Sequence, residues 1–206
     1  TGSTEGRRTD TMMLLYKPPS GRTALVSLPR DSLVDIPGRK RNKLNAAYAF
    51  GGAPLLVETV ELNTGIQIDG YMEIGLLGLV EVVDALGGID ILINNAGIIA
   101  YCDGIQAISV EAWDRLLDVN LRAPYLLSRE LIQSMKARRN GRIVNFSSMA
   151  ARSGAIDAGL HYACSKAGLI GLTRTLAKEG GPYGITVNAL APGIIASEPV
   201  KRQVGD

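Results

Sequence analysis

Histidine and cysteine are scarce in these 206 residues, with one of the first and two of the second. Cys102 and Cys164 fall in different stretches without metal-ligand spacing. That pattern argues against a disulfide framework and fits a reduced compartment or indifference to redox. Charge of one sign is lacking too: the net charge of +2 gives no polyanion-binding signal, so nucleic acid is not an expected partner. No apolar run approaches membrane-spanning length, and the N-terminus has no signal-peptide layout. The expectation is a soluble, cytoplasmic protein with no membrane span. What is present is ordinary for a globular chain, 46% apolar and 20% charged. It is long enough for one domain with a substantial core.

Residues 11–17 and 23–28 read as strands joined by Pro18-Pro19-Ser20-Gly21, and so short a link makes an antiparallel hairpin. Residues 54–63 read as a helix stopped by Gly65, residues 66–74 as a strand, and residues 76–86 as a helix ended by Gly87 and Gly88. Residues 89–94 read as a central strand of a parallel sheet. Ser109 can cap a long amphipathic helix reaching about Arg138, which Pro124 should bend near Asn120. Residues 142–146 and 185–190 read as two more strands, with a helix between them that carries Tyr162 and ends at Gly180-Gly181-Pro182. No Pro/Ser-rich stretch or charge run separates the two halves, so residues 1–206 are expected to form a single domain with one continuous sheet. The fold class is α/β: a three-layer α/β/α sandwich, Rossmann-like, parallel in the second half and mixed in the first.

Candidate chemistry lies in residues 145–166. Tyr162 and Lys166, four apart, stack on one helical face. An ammonium held near a phenol favours the phenolate and pulls its pKa toward working pH. Ser148 follows an apolar run and so sits at the carboxyl end of a strand, where ligands bind in open α/β sheets. Asn94-Asn95-Ala96-Gly97 ends another strand with small and amide side chains that let a cofactor approach the backbone. Each feature has a plainer reading: a helix-surface Tyr-x-x-x-Lys pair, an ordinary Asn/Gly turn, and an asparagine at a helix bend that satisfies freed backbone groups. His161 adjoins Tyr162 but is expected to point off the catalytic face, and it is assigned no role.

Five stretches in order, GIDILINNAG at 88–97, Asn120 in DVNLRAPY, RIVNFSS at 142–148, YACSK at 162–166 and NALAPGIIAS at 188–197, resemble the classical short-chain dehydrogenase/reductase family over about residues 88–199. The resemblance implies NAD or NADP as cofactor and a small-molecule alcohol or carbonyl as substrate. It implies Tyr162 as general acid/base, Ser148 orienting the substrate oxygen, Lys166 binding the nicotinamide ribose, and Asn120 positioning a relay water. Asn94, Ala96 and Gly97 would line the adenosine side of the dinucleotide. Pro192, Gly193 and Ile195 would contact the nicotinamide, with Ser197 near the pyrophosphate. A homodimer through the helices bearing Asn120 and Tyr162 is also implied. The family's glycine-rich loop and C-terminal end have no counterpart here. TGSTEG at 1–6 imitates the start of that loop, but Arg8 stands at the final glycine and a strand follows instead of a helix.

Residues 1–88 resemble instead the N-terminal half of the LytR-CpsA-Psr domain, on Arg8-Thr9-Asp10-Thr11, Pro29-Arg30-Asp31 and KLNAAYAFGG from Lys43. That resemblance implies Arg8 and Arg30 gripping a pyrophosphate or polyprenyl pyrophosphate, with Asp10 helping to hold Mg²⁺. The two resemblances meet at residues 83–88, so the chain reads as a chimera of an 1–88 segment and an 89–206 segment. Engineered recombination explains the clean junction, with a natural fusion or truncated gene product as the weaker alternative. Three functions follow: an NAD(P)-dependent oxidoreductase, a Mg²⁺-dependent pyrophosphate binder, and a folded scaffold without activity, because function lives in complete sites and not in folds.

Overall fold

The computed structural model describes residues 12–30, 32–73, 76–155 and 158–193. The chain opens with a hairpin of β1 (Met12–Tyr16) and β2 (Ala24–Leu28). A two-stranded ladder of β3 (Leu33–Val34) and β4 (Asn42–Lys43) follows, then α1 (Leu44–Thr64) and α2 (Leu76–Ala85). After β5 (Ile91–Asn94) come α3 (Val110–Leu117) and α4 (Ala123–Arg138). The remainder is β6 (Gly141–Phe146), the short α5 (Ala150–Ser153), α6 (Gly159–Gly180) and β7 (Ile185–Leu190).

The main sheet runs β1-β2-β5-β6-β7. The β1–β2 pair is antiparallel, and every other pair is parallel. The fold is therefore α/β with a mostly parallel sheet, mixed only at the hairpin edge. Leu25, Leu92, Ile143 and Val187 stand in register across four strands. That row is buried under Val83 of α2, Leu127, Leu131 and Met135 of α4, and Leu176 of α6. Three crossovers stepping the same way across the sheet put α2, α4 and α6 on one face, as right-handed connections require. On the opposite face Met12 and Leu28, partners in β1–β2, pack with Ala47, Leu56 and Val60 of α1. Helices thus lie on both faces. Beyond α1, the opposite face presents Val26, Ile93 and Val144, one cross-strand row of half-buried side chains.

Three local expectations change. The strand expected at residues 66–74 is absent from 66–73, and residue 74 lies outside the described residues. The edge strands of the sheet are β1 and β7, and this stretch pairs with neither of them. It stays mostly exposed and is tied back to α1 by the Ile68 amide, which donates to the Glu61 carboxylate at 2.8 Å. The helix read from residue 54 begins earlier, at Leu44, with a break at Gly51 and Gly52. There φ of +64° at Gly52 is open to glycine, and Pro54 restarts the helix beyond it. The expected stop is in place: Gly65 takes φ 71° and its amide bonds Glu61 O at 2.8 Å.

The long helix expected from Ser109 to Arg138 is divided. Ser109 Oγ caps α3 by accepting from Ala112 N at 3.1 Å. Asp118–Arg122 then forms a single π-helical turn, with Ala123 N reaching back five residues to Asp118 O. Pro124 has no amide proton for the carbonyl four residues before it, which is that of Asn120. The ladder absorbs the mismatch by widening one turn instead of kinking sharply.

Candidate active site

The carboxyl ends of β2, β5 and β6 converge on a buried polar network. Asn94 Nδ2 donates to Asn145 Oδ1 at 2.8 Å, and Asn145 Nδ2 donates to Thr173 Oγ1 of α6 at 2.9 Å. Asn94 is 2% exposed, and its Oδ1 has no partner. Ser27, at the end of β2, accepts from the amides of Asn95 and Ala96 at 2.8 and 2.9 Å and donates to Ile93 O at 3.2 Å. The Ser27 hydroxyl therefore shapes the Asn94–Gly97 turn.

Asn120 is wholly buried, and both polar atoms of its amide have partners. Its Oδ1 accepts from Ile98 N at 2.8 Å, while Nδ2 donates to Ile98 O at 2.9 Å and to Ser165 Oγ at 3.1 Å. The plainer expectation changes: the amide serves the loop after β5 and not the helix bend. Asn120 clamps that loop to α6.

Lys166 is the most perturbed group of the site. Its side chain folds inward, and Nζ donates to Phe146 O at 2.8 Å. Burial alone pushes its pKa down from 10.5 to about 8. The ammonium sits 5.7 Å from the Tyr162 ring centroid. A Cβ on Gly97 would lie 3.2 Å from Lys166 Nζ and 3.4 Å from Asn120 Oδ1, so the lysine end is walled by the turn after β5. Ser147 Oγ fixes the backbone beneath it, donating to Lys166 O at 2.7 Å.

Ser148 is half-buried and its Oγ accepts from Ala150 N at 3.2 Å, which starts α5. Tyr162, on the first turn of α6, is also half-buried. No hydrogen bond joins Ser148, Tyr162 and Lys166 to one another among the described residues. Pro192 O accepts from Met149 N at 2.9 Å, and Gly193 lies beside Met149, so both border the Ser148 turn. Arg30 is 5% exposed and lines a crevice with Ser27, Asn94, Ala96, Gly97 and Pro124. The arginine expected of the first segment thus reaches the turn expected of the second. Arg8, Asp10, Ile195 and Ser197 lie outside the described residues. Among the described residues no three His, Cys, Asp or Glu side chains gather as metal ligands, and no helix is long and apolar enough to cross a membrane.

Sequence reading missed Ser27, Asn145, Ser147, Ser165 and Thr173. The first two carried a signal, being polar residues set among the apolar strand residues of TALVSL and RIVNF.

Two family models match the chain. The model described as short chain dehydrogenase matches residues 77–205, and that of the LytR_cpsA_psr family matches residues 2–110. The probable cell wall biosynthesis protein LcpB of Corynebacterium glutamicum is 52% identical over 83 residues, covering 40% of this chain and 20% of that protein. Nodulation protein G of Rhizobium meliloti is 45% identical over 187 residues, covering 86% of this chain and 75% of that protein. Among solved structures, 4-hydroxyisoleucine dehydrogenase complexed with NADH superposes with a TM-score of 0.55 at 34% identity. The match covers 63% of this chain and 56% of that one. The chain accordingly spans a fifth of the first relative and little more than half of the solved dehydrogenase. Conserved order, geometry and matched residues agree: the chain belongs to the short chain dehydrogenase family over residues 77–205 and to the LytR_cpsA_psr family over residues 2–110.

Proposed function

We propose that the chain is an NAD(P)-dependent oxidoreductase of small alcohols and carbonyls, working through Ser148, Tyr162 and Lys166. The observation that carries this reading is the buried Lys166 ammonium, held on Phe146 O beside the Tyr162 ring and walled by Gly97. A desolvated cation near a phenol is an arrangement for proton transfer, because it stabilises the phenolate that forms when the proton leaves. Tyr162 passes that proton to or from the substrate oxygen, and Ser148 Oγ holds the same oxygen in place. Lys166 keeps the phenol side of the cleft positive throughout.

The nicotinamide dinucleotide, when bound, gives or takes the hydride. The residues present suit it: Asn94 Oδ1 is a buried acceptor without a partner. Asn94, Ala96 and Gly97 would line one side and Pro192 and Gly193 the other, with Arg30 placed for a phosphate oxygen. The test is a fluorescence titration with NADH and NADPH on the wild type and on Lys166→Ala, followed by a carbonyl panel on the wild type and Tyr162→Phe. Saturable binding weakened by Lys166→Ala, with turnover lost in Tyr162→Phe, supports the reading. No binding at millimolar cofactor sinks it.

A second reading, binding of pyrophosphate compounds, is favoured by one feature, the nearly buried Arg30 in the Asn94–Gly97 crevice. Its test is calorimetric titration with inorganic pyrophosphate, with and without Mg²⁺, on the wild type and Arg30→Gln.

A further inference from the structure

We propose that Cys102 is a nucleophilic thiol served by His161 as its base, forming a modification site for α,β-unsaturated carbonyl compounds. The pair is brought together at the start of α6. Gly159 begins that helix with φ +75°. A Cβ there would overlap Cys102 Sγ and approach His161 Cε1 and Nδ1 to 2.8 and 2.9 Å. The thiol and the imidazole edge therefore share the space that only a glycine leaves open.

His161 is 1% exposed, and its Nδ1 has no hydrogen-bond partner. A buried ring nitrogen without a partner is uncommon and calls for an explanation. With its proton on Nε2, the imidazole presents a lone pair at Nδ1 toward the space at Gly159 that it shares with the thiol. Cys102 itself is half-exposed, so a reagent can reach it. The 22-residue α6 begins at this corner. Beside the same helix start lies a hollow lined by Ile105, Ile108, Trp113 and Leu160, which suits an apolar electrophile.

The step balances without an oxidant. As sulfur attacks the β-carbon, the thiol proton passes to His161 Nδ1 and the carbon–sulfur bond forms. The π pair of the alkene moves to the α-carbon, which then takes the proton from the imidazolium. The product is a thioether, and the imidazole returns to its starting state.

The test uses N-ethylmaleimide at pH 7, with adduct formation at Cys102 and Cys164 followed separately by peptide mass mapping. Cys164 is exposed and serves as the reference inside the same molecule. The expected result is at least tenfold faster reaction at Cys102, despite its lower exposure. His161→Gln is expected to slow Cys102 about tenfold and leave Cys164 unchanged. A Cys102 rate at or below that of Cys164 overturns the proposal, as does an unchanged ratio in folded His161→Gln. Should that variant fail to fold, the wild-type ratio alone decides.

Discussion

Lys166→Met tests the electrostatics of the site without any ligand. In the folded chain burial lowers the lysine from 10.5 to about 8. At pH 7 the amine is charged in both folded and unfolded states, and the fold bears the whole desolvation cost, about 3 kcal/mol at 1.36 kcal/mol per pKa unit. Between pH 8 and 10.5 the unfolded chain binds more protons than the folded one, so stability rises with pH across that window. From pH 7 to pH 10 the relief amounts to about 2.5 kcal/mol. Lys166→Met has no such group, while every other titrating side chain is shared and cancels in the comparison. Urea unfolding of both proteins at pH 7, 8, 9 and 10 gives the difference directly. The wild type should gain about 2.5 kcal/mol on the variant over this range, most of it above pH 8. Parallel curves, within about 0.5 kcal/mol, would show that the amine titrates normally and refute the buried-cation account.

Other perturbations follow from the same network. Ser27→Ala leaves the Asn95 and Ala96 amides without their acceptor. It should cost about 2 to 3 kcal/mol in chemical denaturation and speed hydrogen exchange at those two amides. Asn120→Ala removes three hydrogen bonds between the loop after β5 and α6. A loss of about 3 kcal/mol is expected, and one below about 1 kcal/mol would deny the clamp its role. Gly97→Ala sets a methyl 3.2 Å from Lys166 Nζ, so NADH affinity should fall at least tenfold while the thermal midpoint moves by only a few degrees.

The sequence reading went furthest where the chain's information is local. Strands β1, β2, β5, β6 and β7 are short apolar runs set off by breakers. The Ser109 cap, the Gly65 stop and the Tyr162/Lys166 spacing are all decided within a few residues. Residues 66–73 fail as a strand for a reason no local pattern contains, because a strand needs a partner strand and this stretch joins neither edge of the sheet. The two-residue ladder of β3 and β4 is too short to leave a period. In the site, residue identities were legible but their contacts were not. Asn120 is committed to Ile98, 22 residues away, and Lys166 to Phe146, 20 residues away. A side chain's partner is a property of the assembled sheet, so a water-positioning asparagine and a structural one look alike in sequence.

Strand β2 meets β5 through three backbone pairs, the Ser27 hydroxyl and the Asp90 carboxylate, which accepts from Thr23 N. Backbone pairing is blind to side-chain identity, so almost any five-residue strand could lie there. What it must supply is narrow: an apolar side chain at position 25 for the core and a hydroxyl at 27 for the turn. Because side chains alternate between faces, sliding β2 by one residue would turn both to the opposite face at once, taking Leu25 out of the core and leaving two amides bare. The hydroxyl thus works as an index pin. It lets the strand seat in one alignment only.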